Sequence, residues 1–467
     1  MTILSPSTAD LSTRVPVIVV GGGACGLVAA LAAHDAGAQV VVIERDPVPR
    51  GSTSMSLGAL CATGSAEQAR LGIDDDADRF VEDVMVKTRG SADRRIARLI
   101  GARSGPTLDW LAERWNLSLR LDPKWPPAFG HSRMRMHVTP GRSGADLMDR
   151  LIAACDEAEI PILTNARLTA LFADRQGVCG IRLVRPNGEV EEIGCDALVL
   201  ATCGFGGNHA MIERHIPGIA DARYFGWEGN DGTGILLGEA LGGALGDMDA
   251  YQGLGLLADP QGIELNPRFL IEGGIQVNRA GARFSHELDD VSGQGARVIA
   301  QADGLAWVIY DGRIDSACAD LPQYLALRAV GGVRSASSPE RLAESVGVDP
   351  AGLARTLCEI VIGRPDGFGR TFTTPPLAAP FFAVRVTGAL FHTQGGLCID
   401  DDARVLRADG GAIPNLFAGG GAARGISGSG PSGYLPGAGL CCAITLGRVA
   451  GQSAAAVALG TISSGSG

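Results

Sequence analysis

VPVIVVGGGACGLVAALAAHDAGAQVVVIERD, residues 15–46, decides the fold of the first part of the chain. An apolar run at 15–20 meets Gly21-x-Gly23-x-x-Gly26, an Ala/Leu stretch of helical character follows, and a second apolar run at 40–43 ends at Glu44. Strand, glycine turn, helix and strand in that order predict a βαβ unit. Each part has a physical task. Gly21 allows the tight turn out of the strand, Gly23 lets the backbone approach a pyrophosphate, and Gly26 permits close packing of helix on strand. The helix start, with Ala24 and Cys25 in its first turn, offers unpaired N–H groups and a positive dipole end to phosphates. Glu44, with Arg45 beside it, can accept from ribose hydroxyls. The motif predicts dinucleotide binding without separating FAD from NAD.

Working outward, the 467 residues are 46% hydrophobic and 19% charged, enough for substantial cores in about two domains. The 67 glycines follow no fixed period and the 24 prolines are ordinary usage, which excludes collagen-like and disordered chains. A net charge of -11 without a long basic run gives no footprint for nucleic acid and disfavours anionic membranes, so the expected partner is a small molecule. Residues 1–14 lack the apolar core of a signal peptide. No 18-residue apolar span is expected, because Arg448, Gln452 and Ser453 interrupt the alanine-rich C-terminal run. A cytoplasmic protein with no integral membrane segment is the expectation. The 11 cysteines contain no C-x-x-C pair and read as reduced, mostly buried thiols, with no metal site; Cys441 and Cys442 read as small helix residues.

Downstream, RGSTSMSLGAL (50–60), HVTPGRSGADLMDRL (137–151), CDALVLATCGFGGN (195–208), NDGTGILLGEALGGAL (230–245), IQVNRAGARFSHE (275–287), HTQGGLCIDDDARVL (392–406) and IPNLFAGGGAARG (413–425) follow one another. In that order they resemble the fumarate reductase/succinate dehydrogenase flavoprotein superfamily over nearly the whole chain. The resemblance implies an α/β fold: a discontinuous Rossmann-like FAD-binding domain, 1–250 and 375–467, with an inserted α+β capping domain, 251–374. It places Ser52, Thr53 and Ser54 beside the diphosphate and flavin ring, and the backbone of Ala166 at the adenine. It also assigns to FAD Gly58, Ala201, Thr202 and Gly204, then Asp231, Gly419 and Gly420, and Gly439 with Leu440 at the last helix. Residues 45–64 contain no histidine, so noncovalent FAD is expected. Where relatives carry an acid for the ribitol, this chain has Gly421.

SGYLPGAGLCCAITLGRVAG, residues 432–451, carries the only tyrosine of the last hundred residues. Pro436 suits a first helical position, so a helix over about 436–457 is expected, with Gly437 and Gly439 clearing space for a flat ring. In the superfamily this helix start faces the flavin and stabilises its reduced form. The GYLPGAGL pattern resembles the tyrosine loop of 3-ketosteroid dehydrogenases. That implies Tyr434 as the electrophile, with the N–H of Gly437 or Gly439 as second donor to a ketone oxygen, a base removing the α-proton and a β-hydride passing to the flavin. A tyrosine shortly after RF-x-x-E serves as base in those enzymes, but Val291 and its neighbours stand there here. Tyr251 is the leading replacement, with Asp290 and His131 as alternatives; Trp125 is read as a pocket wall.

Fumarate reductases instead grip a dicarboxylate with arginines after RFSHE and before the last helix. This chain has LDDVSGQGAR and GSGPSGYLPG in those places. His392 and Thr393 of FHTQGG survive, so His392 is equally a substrate ligand or a structural residue; Arg133, Arg135 and Arg268 are candidates for holding an acid group. The combination points to a desaturase of a compact cyclic ketone such as 4-oxocyclohexanecarboxylate. A 3-ketosteroid dehydrogenase, a fumarate-reductase-like ene-reductase and a non-catalytic flavin redox sensor remain open. The electron acceptor is unidentified, oxygen and a quinone being the candidate classes.

Overall fold

The structure, a computed structural model, describes residues 2–123, 125–290 and 292–461. The chain forms two compact units: 1–215, 226–251 and 392–467 make the first, and 216–225 with 252–391 the second. The second unit thus takes in a short early segment and runs past 374 to Phe391. The reason is the long strand Phe381–Thr393, which pairs along most of its length with Leu305–Asp311.

In the first unit the strands Arg14–Val20 and Val40–Ile43 lie parallel, with Val17 opposite Val40 and Val20 opposite Ile43. Residues 17–20 and 40–43 are buried, as a continuous apolar run in a parallel sheet must be. The helix Ala24–Asp35 connects them, completing the βαβ unit. The strand Val190–Leu200 borders Arg14–Val20 on its other side. Its first half runs antiparallel to Gly177–Val184, and its end runs parallel to Ala412–Ala418. The nine-stranded sheet therefore brings the C-terminal ends of Arg14–Val20, Val190–Leu200 and Ala412–Ala418 to one edge, where the glycine turns follow.

The last helix, Ala438–Ala458, packs along Ala24–Asp35. Side chains on Gly447 and Gly451 would run into the carbonyls of Cys25 and Ala29, so glycine sets the approach of the two helices. Contrary to the sequence reading, Ala438–Ala458 is long and apolar enough to cross a membrane; 56% of its apolar window is buried inside the protein, the state of a core helix. It begins one residue beyond Gly437 rather than at Pro436: Gly437 holds a left-handed φ of 79° and caps it.

The second unit is built on a seven-stranded sheet with Ile263–Glu264, Tyr251–Ala258, Phe381–Thr393, Leu305–Asp311 and Ile275–Val277 in order. Three short helices, Pro322–Ala329, Pro339–Val346 and Pro350–Glu359, fill the polar stretch of sequence. Each opens on proline, which has no N–H to leave unpaired in a first turn.

Candidate active site

The C-terminal edge of the parallel strands opens into a cleft of about 860 Å³, counted out to solvent. Its floor is the turn after the first strand. Gly21 has φ 110°, and a side chain there would collide with the Ala201 carbonyl. At Gly23 the space is open, with Thr53 Oγ1 3.7 Å from where a Cβ would stand. Thr53 Oγ1 accepts from Ala24 N–H at 3.2 Å. The N–H groups of Gly23 and Cys25 have no acceptor among the described residues, so they remain as donors for an anion.

Glu44 sits at the mouth of the next strand. Its carboxylate accepts from Gly22 N–H at 2.7 Å and Asp46 N–H at 2.8 Å. Burial raises its pKa and those two donors pull the other way. Two lone pairs remain for hydroxyl donors. Ala166 donates to the Glu44 carbonyl and lies on the cleft wall one residue before the strand Arg167–Asp174. Arg45, Ser52, Ala201, Thr202, Asp231 and Gly420 are also on the walls.

Other residues expected at the cofactor stand behind the cleft. Gly26 and Gly419 are packed where a Cβ would meet Gly21 O or Cys25 Sγ, Gly58 closes on Ser143, and Gly204 on Thr393 Oγ1. The Ser54 hydroxyl donates to the Gly51 carbonyl. Gly439 and Leu440 are in the first turn of the last helix, and Ala443, one turn further on, reaches the cleft wall. The Leu440 N–H has no acceptor among the described residues, whereas the Gly439 N–H faces the Tyr434 oxygen.

Sequence reasoning missed Trp227, Asn230 and Thr233 on the same walls. Trp227 donates from Nε1 to Asp46 at 2.8 Å, and Asn230 from Nδ2 to Ser52 at 2.7 Å. The dense glycines of GWEGNDGTG were the available signal. Gly421 also lines the cleft, and a side chain there would stand 2.7 Å from Gly204 N, so the glycine goes with a close backbone crossing.

A second cluster adjoins this cleft within the first unit. Tyr434 and His392 form an edge-to-face pair, with ring centroids 5.4 Å apart and planes at 72°. Both retain accessible surface although densely surrounded, as walls of a concavity do. Burial pushes the Tyr434 phenol well above its ordinary pKa, partly offset by the N–H groups of Gly439 and Gly437. Burial holds His392 down at about 4, so its imidazole is neutral. Gln394 Nε2 is 2.8 Å from His392 Nδ1, and Ser427 donates to Gln394 Oε1 at 3.1 Å. Thr393 Oγ1 accepts from Phe205 N–H, beside the Cys203 wall of the cleft. Tyr251 is buried, and its neighbour Ala250 accepts from Gln394 N–H.

The other candidates are occupied elsewhere. His131 Nε2 donates to the Pro436 carbonyl at 3.0 Å and so clamps the tyrosine loop. Arg135, expected as a holder of an acid, is fully buried between Asp75 and Asp83. Arg133 donates to the backbone carbonyls of Asp74 and Ser132, and Arg268 lies near Glu272 and Asp320. Asp290 is buried and accepts from Gly293 N–H before the helix Gln294–Ile299. Trp125 is 37% exposed, and Val291 lies outside the described residues. In the RFSHE motif Arg283 grips Glu287, which also pairs with Arg370. No arginine hydrogen-bonds to or stacks on Tyr434 or His392 among the described residues. Those residues hold no cluster of metal ligands either.

The comparison with known proteins fits a nucleotide cleft of this build. The model of the FAD binding domain family matches residues 16–441. The chain belongs to that family. It is an FAD-dependent oxidoreductase acting on CH–CH groups, in the fumarate reductase and ketosteroid dehydrogenase branch of flavoproteins. It is 29% identical over 457 residues to a probable fumarate reductase of Shewanella frigidimarina, covering 96% of this chain and 76% of that protein. A 3-ketosteroid-Δ4-(5α)-dehydrogenase from Rhodococcus jostii, solved with 4-androstene-3,17-dione, superposes with a TM-score of 0.79 at 25% identity, over 97% of this chain and all of that one. A 4-oxocyclohex-2-ene-1-carboxylate 5-dehydrogenase of Sinomonas cyclohexanicum is 28% identical over 303 residues, 56% of this chain and 51% of that protein. The fold class is accordingly α/β, a Rossmann-like FAD domain carrying an inserted α+β capping-type domain. The open floor at Gly23, the unpartnered N–H groups and the anchored Glu44 fit the diphosphate and ribose of FAD.

Proposed function

We propose that this protein desaturates a compact cyclic ketone, forming a C=C bond α,β to the carbonyl. One observation carries this reading: Tyr434, its phenol kept protonated by burial, stands beside the buried His392 ring and the glycine N–H groups of a helix start, with no arginine against it among the described residues. Such a site donates hydrogen bonds to an uncharged oxygen, whereas a dicarboxylate asks for cationic, bidentate partners.

In the mechanism Tyr434 O–H and the N–H of Gly437 or Gly439 bind the carbonyl oxygen and hold the negative charge that develops as the α-proton leaves. Tyr251 is the base that takes that proton. Bound FAD supplies the acceptor for the hydride lost from the β-carbon, so that one proton and one hydride leave and a conjugated enone remains. Gly23, Cys25 and Glu44 hold the diphosphate and ribose, while Ser52, Thr53, Trp227 and Asn230 shape the cleft around them. The FAD is held noncovalently, since 45–64 offers no histidine. A domain at 1–250 and 375–467 would bind it, with 251–374 as a separate inserted domain. Oxygen or a quinone takes the electrons, in the cytoplasm.

The substrate for which the Sinomonas relative is named, an oxocyclohexene carboxylate, supports a cyclohexanone such as 4-oxocyclohexanecarboxylate, and the Rhodococcus neighbour supports a 3-ketosteroid as the alternative. The identity with a fumarate reductase favours a second reading, reduction of an activated alkene at the same site. Tyr434→Phe is the test. It is expected to keep bound FAD and its visible spectrum while kcat falls about 10²–10³-fold, as for loss of one oxyanion donor. Full turnover in that variant rules out the electrophile role.

A further inference from the structure

His392 has two ring nitrogens, and which of them carries the proton decides whether its free edge donates or accepts. Nδ1 lies 2.8 Å from Gln394 Nε2. The orientation of the Gln394 amide follows from its other end. Ser427 is 1% exposed, and the acceptor available to its hydroxyl among the described residues is Gln394 Oε1 at 3.1 Å. A buried hydroxyl without an acceptor costs about 1–3 kcal/mol, so Oε1 turns to Ser427 and the NH2 group to the histidine. An amide NH2 only donates; Nδ1 therefore accepts. The backbone of Gln394 is fixed as well, its N–H on the Ala250 carbonyl and its C=O on Gly425 N–H.

The remaining nitrogen, Nε2, faces the start of the last helix, where a Cβ on Gly439 would lie 3.3 Å from it. The same ring packs edge to face with Tyr434, the centroids 5.4 Å apart. Burial keeps the ring neutral, and the Thr393 carbonyl bordering it offsets this only in part.

We propose that Gln394, oriented by Ser427, is a positioning residue that locks His392 as its neutral Nε2–H tautomer, making the imidazole a second neutral donor beside Tyr434. The inference rests on the ketone reading for its purpose. It deepens that reading into a specificity rule: the site selects an uncharged carbonyl over a carboxylate, because neither donor brings a positive charge.

The test is ¹⁵N-histidine NMR of the FAD-loaded protein without substrate, the His392 signal identified by its loss in His392→Asn. The expected spectrum shows one neutral Nε2–H tautomer. In Gln394→Glu the new carboxylate accepts from Nδ1–H, so the proton is expected to move to Nδ1, and binding of cyclohexanone as probe to weaken about tenfold. In Ser427→Ala, which perturbs the packing less, the tautomers are expected to mix. A wild-type Nδ1–H tautomer, or a spectrum unchanged in both variants, overturns the proposal. A tautomer that shifts as described supports it even when no ketone is turned over, and in that event the ketone reading fails alone.

Discussion

On the ketone reading, Tyr434 and its neighbours make the site selective by withholding charge. Burial raises the phenol and lowers His392, so both present protons while remaining neutral. The deeply buried arginines Arg135, Arg283 and Arg370, with side chains 0–6% exposed, all spend their charge on carboxylates of the chain. His131 extends the same logic to the loop. It is 8% exposed, donates to Pro436, and burial holds it at about 4. Below pH 6.5 the unfolded chain protonates this residue and the folded chain does not, so stability is lost as pH falls from 6.5 toward 4. The contribution is on the order of 2–3 kcal/mol. Denaturant melts of wild type and His131→Asn at pH 7 and pH 4 are expected to show the wild-type advantage shrinking by that amount. Gly21, Gly23 and Glu44 could be read directly because their spacing along the chain is itself the motif. Gln394, Ser427, Trp227 and Asn230 could not, because what each touches is set by strands and loops far away in sequence.

At the scale of elements, the glycines of the first turn divide into two physical classes that the motif treats alike. A Cβ on Gly26 would run into the Gly21 carbonyl, whereas one on Gly23 enters open cleft. Gly26→Ala is therefore expected to destabilise the fold by about 1–3 kcal/mol. Gly23→Ala should leave the melting temperature of the apoprotein unchanged while weakening FAD about 10–100-fold, read by flavin fluorescence on titration. Strand and helix identity in residues 15–46 was legible, since continuous apolar runs and an Ala-rich segment leave little choice. The start of the last helix was not. Pro436 carries the usual sign of a first turn, yet the chain spends Gly437 on a left-handed cap, and its Cβ position lies only 3.0 Å from Cys61 N. A close approach of that kind is invisible in the local sequence.

For the whole molecule, the order of the seven motifs conveyed the two-part architecture, but not where the chain passes from one unit to the other. The return falls at His392, because Phe381–Thr393 belongs by its pairing to the second sheet until its last residues, and those residues carry His392 and Thr393 to the site. The chemistry assigned to that site turns on whether it oxidises a ketone. Anaerobic stopped-flow absorbance of the oxidised flavoprotein, mixed in turn with 4-oxocyclohexanecarboxylate, cyclohexanone, a 3-ketosteroid and succinate, tests this most directly. The account predicts bleaching of the flavin band by a cyclic ketone and none by succinate. Failure of every ketone to bleach it, together with reoxidation of the prereduced protein by fumarate, would contradict the desaturase reading and make this a reductase of activated alkenes.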